Sequence, residues 1–163
     1  PNNDWAYTTA RAFFYDAFNY LFFKALVNSK DETLSAIAEK SLKEVTYHLR
    51  WSSEWVVRLG DGTGESHQRM QKAVDELWSY TGEMFIANET DVVLSQQGVG
   101  VDLDALRQPW ADLVHNIFAE ADIVAPGNTW MQQGGKDGRH SEHLGYILAE
   151  LQFMQRAYPG MEW

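Results

Sequence analysis

Asp16 lies in the stretch FFYDAFNYLFF, one ionisable group among aromatic neighbours. Burying a carboxylate there is costly unless a charge or a hydrogen bond answers it. Two readings follow. Asp16 is either held by a hydrogen bond or an ion pair to Arg, Lys or His on a neighbouring helix, or it ligates a metal. Buried carboxylates are more often paired than metallated, so the structural reading leads. Glu44 and His48 are four residues apart and therefore share one helical face, which Trp51 and Trp55 continue. Carboxylate-bridged di-metal bundles use a Glu-x-x-His pair, and here the spacing is one residue too long, with Tyr47 where the histidine would stand. A pair at i,i+4 can still share a metal, as in His-Glu-x-x-His enzymes, but a structural Glu44–His48 pair is the leading reading.

The run Arg139-His140-Ser141-Glu142-His143 gathers two histidines and a carboxylate where a helix should begin. Ser141 suits an N-cap and Glu142 the positive end of the helix dipole, and no third ligand stands at a zinc spacing. His67 and His115 stand alone on helical stretches, where a surface or hydrogen-bonded core role is expected. The glycines of QQGGKDGRH do not form the Gly-x-x-x-x-Gly-Lys-Ser/Thr phosphate loop, and no strand precedes them. No catalytic residue is assigned. Asp16, Glu44 and His48 remain as candidates for a vestigial metal site in which His48 donates to a carboxylate.

The elements that position these groups are helical. Residues 4–27 are apolar on nearly every face, with Asn3 or Asp4 as N-cap, so Phe13, Phe14, Phe18, Leu21 and Phe22 are expected inside. Ser29 and Glu32 read as a capping box for a second helix that ends at Gly60. After the turn Asp61-Gly62-Thr63-Gly64, the residues Met70, Val74, Leu77, Trp78, Thr81 and Phe85 mark a third helix. Short connections imply antiparallel packing. Residues 87–108 read as irregular, punctuated by Gly98 and Gly100, with Asp102 capping a short turn. Pro109 suits the first turn of a fourth helix that reaches about Asp122. A loop through Pro126 and the glycines precedes a last helix, which starts at Ser141 and is stopped by Pro159-Gly160. The fold class is all-α, a single helical bundle over residues 1–163, and a chain that starts at Pro1 reads as a fragment.

Composition narrows the partners. Of 163 residues 45% are hydrophobic, and 23 acidic against 13 basic residues give a formal charge of −10 with no basic stripe, which argues against nucleic acid. There is no cysteine, hence no disulfide framework and no thiolate metal site. No signal peptide or charge-free apolar run of membrane length is present, so a soluble, cytoplasmic protein is expected. The seven tryptophans, Trp5, Trp51, Trp55, Trp78, Trp110, Trp130 and Trp163, exceed what one small core needs and point to association, with itself or with a homologue.

Three stretches, SLKEVTYHLRWSSEWVVRLGDGT, KAVDELWSYTGEMF and GGKDGRHSEHLGYILAELQFMQRAYPG, resemble the C-subunit (PaaC-like) family of the ring-1,2-phenylacetyl-CoA epoxidases, and the likeness runs from Pro1 to Trp163. The resemblance implies a ferritin-like fold with a further N-terminal helical region. It also implies a structural, non-catalytic role beside a homologous A subunit that holds the di-iron centre and binds phenylacetyl-CoA, with no cofactor in this subunit. The alternative is a di-metal oxygenase or oxidase that uses Asp16, Glu44 and His48 with ligands from further helices. A third reading, a module contributing to the CoA site, is disfavoured by the acidic balance.

Overall fold

A computed structural model of the chain describes residues 3–127 and 129–162, and among them every regular element is helical. The chain divides into two compact units, residues 1–132 and 133–163. Unit 1 is an all-α, ferritin-like bundle built around α1 (Trp5–Leu26), which packs most extensively along α2 (Glu32–Gly60) and also against α3 (Gly64–Leu77) and α5 (Arg107–Glu120). A helix with so little polar surface has to be surrounded. Phe13, Phe14 and Ala17 are buried, whereas Phe18, Leu21 and Phe22 are half-buried and pack onto the core from its margin.

The core is an aromatic nest. Phe14 meets Trp78 edge-on at 5.7 Å, Trp110 at 6.0 Å and Phe118 at 6.1 Å, and Phe85 closes on Trp110 at 5.4 Å. The buried Trp110 indole Nε1 donates to the Phe14 carbonyl at 3.1 Å, which locks α5 onto the middle of α1 and satisfies the donor that an interior tryptophan carries. Where α2 ends against the end of α5, a Cβ on Gly60 would collide with the Ala121 carbonyl oxygen, so only glycine permits the approach. Asp122 adopts the left-handed conformation (φ 54°), and Ile123 N–H returns to the Phe118 carbonyl at 2.9 Å, a Schellman closure of α5. The Gln71 side-chain amide then clasps the Val124 backbone on both sides, at 2.8 and 2.9 Å, and ties this segment to α3.

Several boundaries differ from the sequence reading. Asp4 is the α1 cap, accepting from Tyr7 N–H at 2.9 Å. The expected Ser29–Glu32 capping box does not form. Asp31 caps α2 by accepting from Leu34 N–H, while the Ser29 hydroxyl donates to the Val99 carbonyl 70 residues away. The third helix ends at Leu77 rather than running to Phe85, giving way to 3₁₀ turns at Trp78–Tyr80 and Gly82–Phe85, where Gly82 lies under the Met131 side chain. The segment read as irregular contains α4 (Glu89–Gln96), opened by a reciprocal Asn88–Asp91 capping box. Asp102 accepts from Asp104 N–H at 3.2 Å and caps the 3₁₀ turn ahead of α5, as its position suggests.

Unit 2 holds α6 (His143–Leu151) and α7 (Phe153–Ala157), separated at Gln152 where one continuous helix was expected. Ser141 does not cap it; α6 starts at His143 with no side-chain cap. None of its described residues is buried, and Tyr146, Leu151 and Phe153 are broadly exposed. Among the described residues no helix is long and apolar enough to cross a membrane.

The difference between central and marginal aromatics sets a stability order on α1. Phe13→Ala, at a fully buried ring, should cost about 3–5 kcal/mol by cavity formation. Phe18→Ala should cost less, because its ring is half-buried. Urea unfolding of the two variants checks the order, and equal losses would contradict this account of the core.

Candidate functional site

Asp16 is carried by α1 on the side that meets α2. It is half-buried, and opposite it stand Ser52, whose side chain is buried, and His48 one turn earlier on α2. The sequence of α2 puts these two at i,i+4, so one helical face brings a hydroxyl and an imidazole to the same carboxylate. The Ser52 hydroxyl hydrogen-bonds Asp16, yet its Oγ also lies 3.0 Å from the His48 carbonyl and 3.3 Å from that of Leu49. Its single proton is therefore divided between the carboxylate and its own helix.

Burial is the largest influence on Asp16 and raises its pKa above the ordinary 3.8, while the Ser52 hydrogen bond and the His48 charge pull it back without cancelling the rise. The carboxyl is thus easier to protonate in the folded chain than in the unfolded one. When protonated, it can donate to Ser52 Oγ while that hydroxyl donates to the His48 carbonyl, so the Ser52 proton no longer has to be shared. Two turns nearer the start of α1, on the same side, the buried Thr9 hydroxyl finds no hydrogen-bond partner among the described residues. The α1–α2 seam therefore carries polar groups that its own packing only partly satisfies.

Glu44 does not join them. Its carboxylate is 76% exposed, and its Oε1 lies 3.7 Å from His48 Nε2, an i,i+4 ion-pair contact along α2 that is longer than a hydrogen bond. Exposed contacts of this kind contribute little. Tyr47 faces solvent, with Arg50 over its ring at 5.5 Å. Among the described residues no three His, Asp or Glu side chains come together as a metal-holding group. The donors that do converge on this seam are one carboxylate and one imidazole, with a hydroxyl beside them, whereas carboxylate-bridged di-metal bundles draw on ligands from two helix pairs.

The remaining candidates separate. His67 Nδ1 pairs with the Gly60 carbonyl at 2.9 Å and joins the end of α2 to α3, a structural role. His115 is exposed on α5, and His140, Glu142 and His143 are exposed in unit 2. The glycine-rich segment closes on itself, with Arg139 N–H donating to the Gly134 carbonyl at 2.9 Å and positive φ at Gly134 and Gly138. The tryptophans divide by role: Trp110 is buried, Trp78 packs against the core, and Trp5, Trp51 and Trp55 form an edge-on trio with Trp5 the most exposed member. Trp130 is open to solvent, and Trp163 lies outside the described residues. Sequence reasoning missed Ser52, which no motif marks; its only signal is the i+4 relation to His48 on a face already suspected.

The model of the phenylacetic acid catabolic protein family matches residues 1–163. The C subunit of 1,2-phenylacetyl-CoA epoxidase from Escherichia coli (strain K12) is 45% identical over 163 residues, which cover 100% of this chain and 66% of that relative. The chain thus spans just under two thirds of the length of the curated relative it matches. With a matched family model running through every element described above, the chain belongs to the phenylacetic acid catabolic protein family.

Proposed function

We propose that the chain acts as a non-catalytic structural subunit of a multicomponent phenylacetyl-CoA epoxidase in the cytoplasm, pairing with and stabilising a homologous A subunit that carries the di-iron centre. Residues 1–163 are read as part of one ferritin-like domain. Likeness to the C subunit of such an epoxidase along the whole chain supports the setting. The observation that favours the non-catalytic role is that Asp16 faces Ser52 and His48 on α2, while Glu44 is largely exposed beside His48. The second reading, a di-metal oxygenase or oxidase in its own right, draws on the approach of His48 to Asp16 and needs ligands from further helices.

One experiment separates the two. The full-length subunit, mixed at micromolar concentration with the A subunit of the same bacterium, should elute as a complex, with iron in the A subunit alone. Stoichiometric iron on the isolated full-length subunit, lost in His48→Ala, would establish the second reading instead.

The structural reading of Asp16 also sets a pH dependence. Its folded-state pKa is raised, so the native state holds the proton more tightly than the unfolded chain. Stability from this group is full below the ordinary value of 3.8 and falls as pH rises through the raised folded value. Asp16→Asn, which keeps a hydrogen-bonding partner for Ser52 and carries no charge, should flatten that part of the stability profile and leave stability at pH 7 unchanged or higher. A loss of about 3–5 kcal/mol at pH 7, typical of breaking a buried ion pair, would contradict the assignment.

A further inference from the structure

The connection between α2 and α3 carries one of the chain's two Asp-Gly pairs, Asp61-Gly62; the other, Asp137-Gly138, lies in the glycine-rich segment of unit 2. An aspartate followed by glycine is the arrangement in which a main-chain nitrogen most readily attacks the preceding side chain, since no Cβ on the second residue obstructs ring closure. Both pairs are exposed, so water reaches either one. What differs is the attacking nitrogen. Gly138 N–H donates to the Gly135 carbonyl at 3.2 Å and Asp137 N–H to the Gly134 carbonyl at 3.0 Å, which closes that turn on itself. Gly62 N–H meets no acceptor among the described residues.

The fold itself requires this glycine. A Cβ at position 62 would stand 2.7 Å from the Arg58 carbonyl oxygen and 2.7 Å from Ser66 Oγ, so the turn passes between the end of α2 and the start of α3 only without a side chain. On both sides of the pair the backbone is pinned. Asp61 N–H donates to the Val57 carbonyl at 2.8 Å, and His67 Nδ1 pairs with the Gly60 carbonyl at 2.9 Å. Thr63 and Ser66 cap α3 reciprocally, Thr63 N–H donating to Ser66 Oγ at 2.9 Å and Ser66 N–H to Thr63 Oγ1 at 3.2 Å.

We propose that Asp61 is a site of spontaneous isoaspartate formation, and that the modification loosens the joint between α2 and α3. The Gly62 nitrogen adds to the Asp61 side-chain carboxyl carbon, a C–N bond forms, and the carboxyl hydroxyl leaves with the amide proton as water, giving a cyclic imide. One water then reopens the ring. Where it cleaves the bond from the nitrogen to the original main-chain carbonyl, the chain now runs through Cβ and Cγ of residue 61, and the former main-chain carbonyl becomes a free carboxylate. Water lost is water regained, nothing is oxidised or reduced, and mass and charge are unchanged. The main chain, however, is longer by one methylene. A connection held by hydrogen bonds on both sides cannot take in an added carbon without releasing some of them, and the nearest are the Thr63–Ser66 box and the His67–Gly60 contact.

The test ages the full-length subunit at neutral pH, folded and in urea, and follows both Asp-Gly pairs by peptide mapping that separates aspartyl from isoaspartyl peptides. In the folded protein isoaspartate should accumulate several-fold faster at Asp61 than at Asp137. In urea, where neither nitrogen is held, the two rates should converge. Aged wild-type protein should melt about 2–4 °C below fresh protein, the size of a lost helix cap in a chain of this kind. Asp61→Glu keeps the charge but would have to close a larger ring, so it should show neither the modification nor the shift. A folded-state rate at Asp61 no higher than at Asp137 overturns the proposal, and so does a preference of the same size in urea, which would come from the local sequence and not from the fold. Unchanged melting of protein modified at Asp61, or an equal loss in aged Asp61→Glu, overturns the effect on the α2–α3 joint.

Discussion

The structure of unit 1 depends on the need to enclose α1. A helix that is apolar around most of its circumference cannot rest on a single neighbour, and α2, α3 and α5 together supply the enclosure. The hydrogen bond from the Trp110 indole to the Phe14 carbonyl gives that enclosure a fixed register, because it ties one point on α5 to one point on α1 across 96 residues. Hydrophobic burial alone is non-directional and would tolerate sliding. The edge-on contacts of Phe14 with Trp78 and Phe118 add direction to the same point, so the least amphipathic helix ends up the most precisely seated.

Once α1 is seated, the ends of its neighbours are constrained in turn. Gly60 allows α2 to finish against the Ala121 backbone, and the left-handed Asp122 turns the chain back so that Ile123 is buried and Val124 reaches Gln71. Each of these is a backbone requirement met by one residue. They explain why a connection without regular secondary structure is nonetheless fixed: its polar groups are satisfied by α3 and α5 instead of by water.

What the sequence made legible was whatever has a local cause. Asp4, the turn at residues 61–64, Asp102 and Pro109 all act within a few residues of themselves, and the elements begin or end where those residue types predict. What stayed hidden has a distant cause. Ser29 and Asp31 are both competent caps, and the choice between them is made by Val99, whose carbonyl takes the Ser29 hydroxyl. The 3₁₀ turns after Leu77 lie where Gly82 must fit beneath Met131. The Asn88–Asp91 box was readable and was masked by the glycines that follow it. Nothing in the residue types requires the break at Gln152. The candidate site divides along the same line: a carboxylate amid aromatics announces itself as Asp16 and the i,i+4 spacing sets Glu44 beside His48, but periodicity cannot tell which α2 residue faces Asp16, so Ser52 went unnoticed.

The two flanks of α1 put opposite demands on charge. Toward α2 an acid is held where burial favours its neutral form, with a hydroxyl and an imidazole as incomplete compensation and an unpartnered threonine hydroxyl on the same side. Toward α3 the Arg11 cation lines a cleft in which no described residue offers it an acid, although the chain has acidic residues in excess. Neither arrangement is the one that stability alone would select. An apolar residue at position 16 would avoid the desolvation, and a carboxylate beside position 11 would satisfy the guanidinium, as one does for the other arginines of the unit. Phe14 stands between the two flanks, at once in the core and in the floor of the cleft that Arg11 lines.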